Sequence, residues 1–178
     1  MRDDIFILSS ARAAGRTIEV ATVNKPRVIL TFDCGSKTGW AAYEPTHRDV
    51  TSGLQEFHIG RGESPGMRFI RFNAWLREMF DSVRPDLVAY EQAHHRGGYA
   101  TDLLVGFVTR IQEECDARGI LYRGVHSATL KKEIGGSGRA DKAKMIERAA
   151  DFFRRDASKL DDNEADALCL LEFMLRET

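Results

Sequence analysis

A chain of 178 residues has the length of one ordinary domain, which excludes large two-lobed enzymes, and its 43% hydrophobic and 30% charged side chains exclude wholesale disorder. No run approaches the ~18 consecutive apolar residues of a membrane span, and Asp3 and Asp4 stand where a secretory signal would be basic, so a cytoplasmic protein is expected. The formal net charge of -1 conceals a segregation: Arg123 to Arg148 carries seven basic against three acidic side chains, and Asp151 to Thr178 four basic against eight acidic ones.

A basic surface beside an acidic pocket suits a metal-dependent nuclease, with cations for phosphates and carboxylates for the metal, although solvated helix faces segregate charge in the same way. Cys34, Cys115 and Cys169 are odd in number and widely spaced. They fit neither a disulfide framework nor a zinc site and are expected to be reduced and structural.

Residues 1–25 form an N-terminal extension of mixed character, and one domain is expected over 26–178. Val28-Ile29-Leu30-Thr31-Phe32 is an apolar, β-favouring run that ends at Asp33 and a glycine-containing turn. Trp40 to Tyr43 and Gly53 to Ile59 supply two further strands of a meander. Phe69, Ile70, Phe72, Leu76, Met79 and Phe80 recur at helical spacing from Met67 to Val83, before Pro85. A buried-type strand, Asp86 to Glu91, is followed by a helix from Tyr99 to Arg118 stopped by Gly119. Then come a fifth strand (Ile120 to Val125), a short helix (Ser127 to Ile134, with Ser127 as cap), a longer one (Arg139 to Arg154) and a last one (Asp162 to Leu175). Three antiparallel-type strands followed by alternating helix and strand predict an α/β fold with a mixed five-stranded sheet and helices on both faces.

Ligands of such sheets gather at the carboxyl ends of strands, where both Asp33 and Glu91 lie. An aspartate after a strand also serves turn formation, but a glutamate closing Leu87-Val88-Ala89-Tyr90 either reaches solvent or faces a cation. The third acidic element is Asp161-Asp162-Asn163-Glu164-Ala165-Asp166. Acids in a first helical turn are partly explained by capping and the helix dipole. Asp166 lies a full turn inside, shares a face with Asp162, and is flanked by Ala165 and Ala167, whose small side chains permit close approach to the sheet. Converging carboxylates make an all-oxygen site of the kind preferred by Mg²⁺ or Mn²⁺, and two such ions ~4 Å apart can clamp a phosphodiester for hydrolysis.

The run Ile29 to Trp40 with Asp33-Cys34-Gly35-Ser36-Lys37-Thr38-Gly39, then Tyr90-Glu91-Gln92, then Lys131 with Gly136-Ser137-Gly138-Arg139-Ala140-Asp141-Lys142, then Ala165-Asp166-Ala167-Leu168, resembles the RuvC-type Holliday junction resolvases, phage-type members included. The resemblance covers about Arg27 to Leu175. It implies a ribonuclease H-like fold, a homodimer in a bacterial or phage-infected cytoplasm, and paired nicks at four-way DNA junctions leaving 5′-phosphate and 3′-hydroxyl ends. It also implies Mg²⁺ as the metal; from the carboxylate chemistry two Mg²⁺ or Mn²⁺ ions per site are expected, and from hydropathy and length neither a membrane nor a nucleotide cofactor. By motif match Asp33, Glu91 and Asp166 would be metal ligands, and Lys131 and Lys142 would flank the scissile phosphate. Lys132, Ser137 and Arg139 would contact DNA, and Gly136 and Gly138 would let the backbone approach it.

The family often places an acid where Asn163 stands. Asp162, four residues before Asp166, is then the expected fourth carboxylate, with Asp161 or Asn163 as substitutes. The segment after Glu91 is a basic loop, with His94, His95, Arg96 and Tyr99 suited to contacting and stacking on bases at an open junction. Apolar residues from Thr101 to Ile111, including Leu103, Leu104, Phe107 and Val108, serve either a two-fold interface or the core. A sugar-kinase or actin-like ATPase, whose phosphate loop is related, needs two lobes. A same-fold nuclease for other branched DNA or RNA and a non-cleaving branched-DNA-binding protein are the remaining alternatives.

Overall fold

Apolar runs buried on both faces need backbone partners on both sides, and in the computed structural model, which describes residues 27–92, 97–137 and 140–177, they assemble one sheet. β1 (Ile29–Asp33) and β2 (Lys37–Glu44) form a tight antiparallel hairpin, and β2 continues antiparallel into β3 (Asp49–Glu56). β4 (Leu87–Glu91) runs parallel to β1, and β5 (Leu121–Val125) parallel to β4, giving the order β3-β2-β1-β4-β5. The expected mixed five-stranded sheet is present. The extension at 1–25 lies outside the described residues.

The helices are α1 (Gly66–Val83), α2 (Tyr99–Arg118), α3 (Ser127–Glu133), α4 (Lys142–Phe153) and α5 (Asp162–Glu177). Leu30, Phe32, Val88, Tyr90 and Tyr122 point to one face of the sheet and pack with Phe72, Leu76 and Phe80 of α1 and Phe107, Ile111 and Cys115 of α2. Ile29, Ala41, Leu87, Ala89 and Val125 point to the other face, covered by α5 with α3 and α4 behind it. Phe107 and Val108 belong to the core, so that part of the Thr101–Ile111 stretch is not a free interface. The three cysteines are buried and unpaired, and burial pushes the thiols of Cys115 and Cys169 up to about 12.

Several boundaries depart from expectation, β2 among them, which begins at Lys37 and not at Trp40. β3 spans Asp49–Glu56 rather than Gly53–Ile59, because an edge strand needs only backbone pairing, from Glu44↔Asp49 to Lys37↔Glu56, and its polar sequence carries little alternation. α4 begins at Lys142, three residues later than expected, because Asp141 stands extended and its carboxylate accepts from the Lys144 N–H at 2.9 Å. Ser127 is the first residue of α3 and not its cap; His126 holds the extended cap position. α5 runs two residues beyond Leu175. Gly119 ends α2 in the left-handed region at φ 67°, as a stop glycine should.

The strand period of two decides where the acids point. Ile29, Thr31 and Asp33 alternate onto the α5 face, and so do Leu87, Ala89 and Glu91. Because β1 and β4 run parallel with Phe32 beside Tyr90, Asp33 and Glu91 end adjacent strands at the same level.

Candidate functional site

The third carboxylate-bearing element reaches these strand ends because the sheet has a notch for it. Gly39 is the β2 partner of Asp33, and a Cβ on Gly39 would lie 1.9 Å from the Asn163 carbonyl oxygen. Only glycine lets the first turn of α5 lie on the strand there. Ala165 and Ala167 are fully buried, as their small size anticipates, and the buried Thr31 hydroxyl lies 2.8 Å from the Ala167 carbonyl, tying helix to strand. Further out, the Ser52 hydroxyl of β3 donates to the Glu164 carboxylate at 2.7 Å.

The electrostatics report how close the acids come. Burial raises the Asp33 carboxyl well above its usual range, and the charges of Asp166, Glu91 and Asp162 raise it further against the opposing pull of Lys142. Asp166 is pushed up to about 6, mainly by burial and then by Glu91, with Lys131 and Lys142 pulling the other way. Asp33, Glu91, Asp162 and Asp166 therefore share one field, with Lys131 and Lys142 at its edge. Asp162 differs from the buried pair: it forms an ion pair with Lys142, whose hydrogen bond holds this carboxyl below the usual range. Asp161, one of the two substitutes for the fourth acid, is engaged elsewhere. Its carboxylate pairs with Lys37 and accepts from the Asn163 N–H at 3.1 Å and the Asn163 side-chain amide at 3.3 Å.

Among the described residues no three His, Cys, Asp or Glu side chains are already gathered into a coordination group. The donor set is nevertheless all carboxylate, partly buried and mutually repulsive, and a hard divalent cation is the partner that relieves such repulsion. The residues fit Mg²⁺ or Mn²⁺ on that ground.

The expected nucleic-acid contacts are spread around this end of the sheet. Lys131 is half-buried and Lys132 exposed on α3; Gly136 is exposed at φ 74°, and a methyl group on its Cα would meet nothing within 4 Å, so its conformation and not crowding calls for glycine. Ser137 is exposed, and its N–H donates to the Lys131 carbonyl at 3.3 Å. Tyr99, 63% exposed at the start of α2, has its hydroxyl 3.4 Å from Nη1 of Arg68. His94, His95, Arg96, Gly138 and Arg139 lie outside the described residues. Sequence reasoning missed Lys37, Gly39 and Ser52 as supports of α5. The spaced small residues Gly39, Ala165 and Ala167 were the available signal for close packing.

No family model matches the chain. Over 106 residues it is 28% identical to the crossover junction endodeoxyribonuclease RuvC of Streptomyces avermitilis, a stretch covering 59% of this chain and 60% of that protein. Over 104 residues it is 30% identical to the RuvC of Thermobifida fusca, covering 58% and 57%. The match thus spans less than two thirds of either relative. Thermus thermophilus RuvC superimposes with a TM-score of 0.67 at 17% identity, over 84% of this chain and 96% of that one. The fold is RuvC-like. The same RuvC bound to a Holliday junction substrate gives 0.67 at 16% identity over 84% and 95%. The yeast mitochondrial Holliday junction resolvase Ydc2 gives 0.63 at 10% identity over 83% and 77%. The RuvC-like fold is ribonuclease H-like, as the sequence motifs implied, and among the described residues no helix is long and apolar enough to cross a membrane.

Proposed function

We propose that this protein is a structure-specific endonuclease that resolves four-way DNA junctions by divalent-metal-dependent phosphodiester hydrolysis, leaving 5′-phosphate and 3′-hydroxyl nicks. The observation that carries the reading is the convergence of Asp33, Glu91 and Asp166 at one end of a RuvC-like sheet, each raised in the shared field or contributing to it. The sequence likeness to two proteins named crossover junction endodeoxyribonuclease supports the substrate class.

Asp33, Glu91 and Asp166 would hold the metal, two ions per site, with Asp162 as the fourth carboxylate. When bound, such ions lower the pKa of an attacking water and stabilise the leaving oxygen. Lys142 lies across Asp162 from the buried acids, where its ammonium meets an incoming phosphate and exchanges its carboxylate partner for it. Lys131 adds positive potential on the Asp166 side. The Gly136–Ser137 turn, with 138 and 139 after it, brings backbone N–H groups and the Arg139 charge to the DNA, alongside Lys132. Tyr99, with His94, His95 and Arg96 before it, offers a stacking and basic contact at the junction centre. Paired nicks call for a homodimer, and the working compartment is the cytoplasm.

The test is cleavage of a labelled four-way junction with Mg²⁺, Mn²⁺ or EDTA, beside linear duplex, fork and flap DNA. Symmetric nicks confined to the junction and abolished by EDTA are expected. Asp33→Asn should lose cleavage by at least about 10³-fold while binding the junction as well or more tightly, because repulsion of phosphate falls. An active Asp33→Asn protein overturns the site assignment. Cutting of forks or flaps in preference to junctions keeps the hydrolysis and changes the substrate, and tight junction binding without cutting replaces the enzyme by a binding protein.

A further inference from the structure

Like charges at the start of α5 present a mechanical problem. Asp162 and Asp166 are driven away from Asp33 and Glu91 by the repulsion that their crowding creates, yet a metal site needs all of them within one coordination radius. The contacts at Thr31 and Ser52 grip α5 at Ala167 and Glu164, inside the helix. The residue immediately before the helix is Asp161. It serves as the cap: its side chain accepts from the Asn163 N–H and its carbonyl from the Ala165 N–H at 2.9 Å.

Lys37, the first residue of β2, forms an ion pair with that cap. Lys37 lies two residues from Gly39, the partner of Asp33, and immediately after the glycine turn that Asp33 enters. One cation therefore joins the β1–β2 hairpin to the point from which the acidic turn of α5 swings.

We propose that Lys37 is a positioning residue of the carboxylate site: by clasping Asp161 it holds the first turn of α5, and with it Asp162 and Asp166, against the strand ends that carry Asp33 and Glu91. This rests on the nuclease reading above. The pair is half-buried, with side-chain exposures of 37% and 24%, so its direct contribution to stability is small, whereas partners just outside a coordination shell commonly change metal affinity by about tenfold or more. That difference separates positioning from simple structural support.

The experiment uses the full chain as wild type, Lys37→Met, Lys37→Arg, Asp161→Asn and the reversed pair Lys37→Asp with Asp161→Lys. Asparagine is itself a good helix cap, so Asp161→Asn removes the ion pair and keeps the cap. Mn²⁺ binding is measured by calorimetry, junction binding in EDTA by gel shift, half-saturating Mg²⁺ by cleavage, and Tm by heating.

Lys37→Met and Asp161→Asn should each weaken Mn²⁺ binding and raise half-saturating Mg²⁺ about tenfold, with Tm and EDTA junction affinity almost unchanged. Lys37→Arg should restore wild-type values, and the reversed pair should be less impaired than the two single losses combined. Wild-type Mn²⁺ affinity in Lys37→Met overturns the proposal. So does lost junction affinity in Lys37→Met beside a normal Asp161→Asn protein, which would make Lys37 a phosphate contact. If the wild type binds Mn²⁺ but cuts no junction, the nuclease reading falls and the Mn²⁺ affinities of the variants still decide the positioning role. No Mn²⁺ binding by the wild type overturns both.

Discussion

Asp166 holds its proton to about pH 6 because ionising it places a charge in a partly buried site already shared with Glu91. Its folded-state pKa is raised above the ordinary 3.8, so its contribution to stability is fully present below that value and lost as pH rises through about 6. In metal-free buffer the Tm difference between Asp166→Asn and wild type should therefore widen in favour of the variant between about pH 4 and 7. Divalent cation should close that gap at pH 7 and have little effect at pH 4, since a carboxylate must lose its proton to bind metal. A pH-independent gap would mean that Asp166 does not sit in the shared field. Asp162 works in the opposite sense, because Lys142 stabilises its charged form. One cluster thus contains acids tuned in two directions, set by burial for the inner pair and by a lysine for the outer one.

At the scale of elements, the decisive contact is α5 on β2. The Asn163 carbonyl and the β2 backbone at Gly39 are both main chain, so neither can rotate away from an added methyl group. Gly39→Ala should displace the first turn of α5, cost about 2 kcal/mol in a urea titration, and remove most cleavage by carrying Asp162 and Asp166 out of place. Wild-type stability in that variant would show that the notch is not required. The far half of α5 is anchored differently: Glu172, fully buried, is clasped by Arg148 of α4 and Arg176 one turn later, so its charge is paired instead of stranded. α5 is therefore held at its acidic end by the glycine contact and the Lys37–Asp161 pair, and at its apolar end by an ion-pair cluster.

For the molecule as a whole, paired nicks in opposing strands need two sites related by a two-fold axis, and one chain supplies one carboxylate cluster. A mass near twice 20.0 kDa is expected in sedimentation, with both nicks made within one bound complex; a monomer that nicks strands independently would remove the dimer from the account. The helical layer on the α1–α2 face retains Ile70 at 60% and Val105 at 37% exposure, while Phe107 and Val108 are committed to its own core. On the opposite layer, Lys131 and Lys132 of α3 and Lys142 and Lys144 of α4 flank the carboxylates, while the arginines of the α1–α2 layer include Arg71 and Arg118, which are held in ion pairs with Glu63, Asp81 and Glu114. Binding to DNA should weaken as salt rises, in proportion to the number of phosphates these cations meet.

Strand and helix identity, the mixed sheet and the acids Asp33, Glu91 and Asp166 were legible in the sequence, because apolar runs, helical periodicity and acids placed against apolar surroundings are local signals. Boundaries failed where a local signal was weak or ambiguous, as at the polar edge strand Asp49–Glu56, or where two residues competed for one cap, as at His126 and Ser127. Spacing singled out Asp162, four residues before Asp166, over Asp161 and Asn163, but spacing carries nothing about the partners that the two acids take. Only the tertiary structure decided that Asp161 meets Lys37 and Asp162 meets Lys142, because those partners lie 124 and 20 residues away in the chain. The sequence by itself determined what kinds of group the molecule carries and which elements bear them; long-range packing through Gly39 decided their distances, and a site of repelling charges exists only where packing enforces such distances.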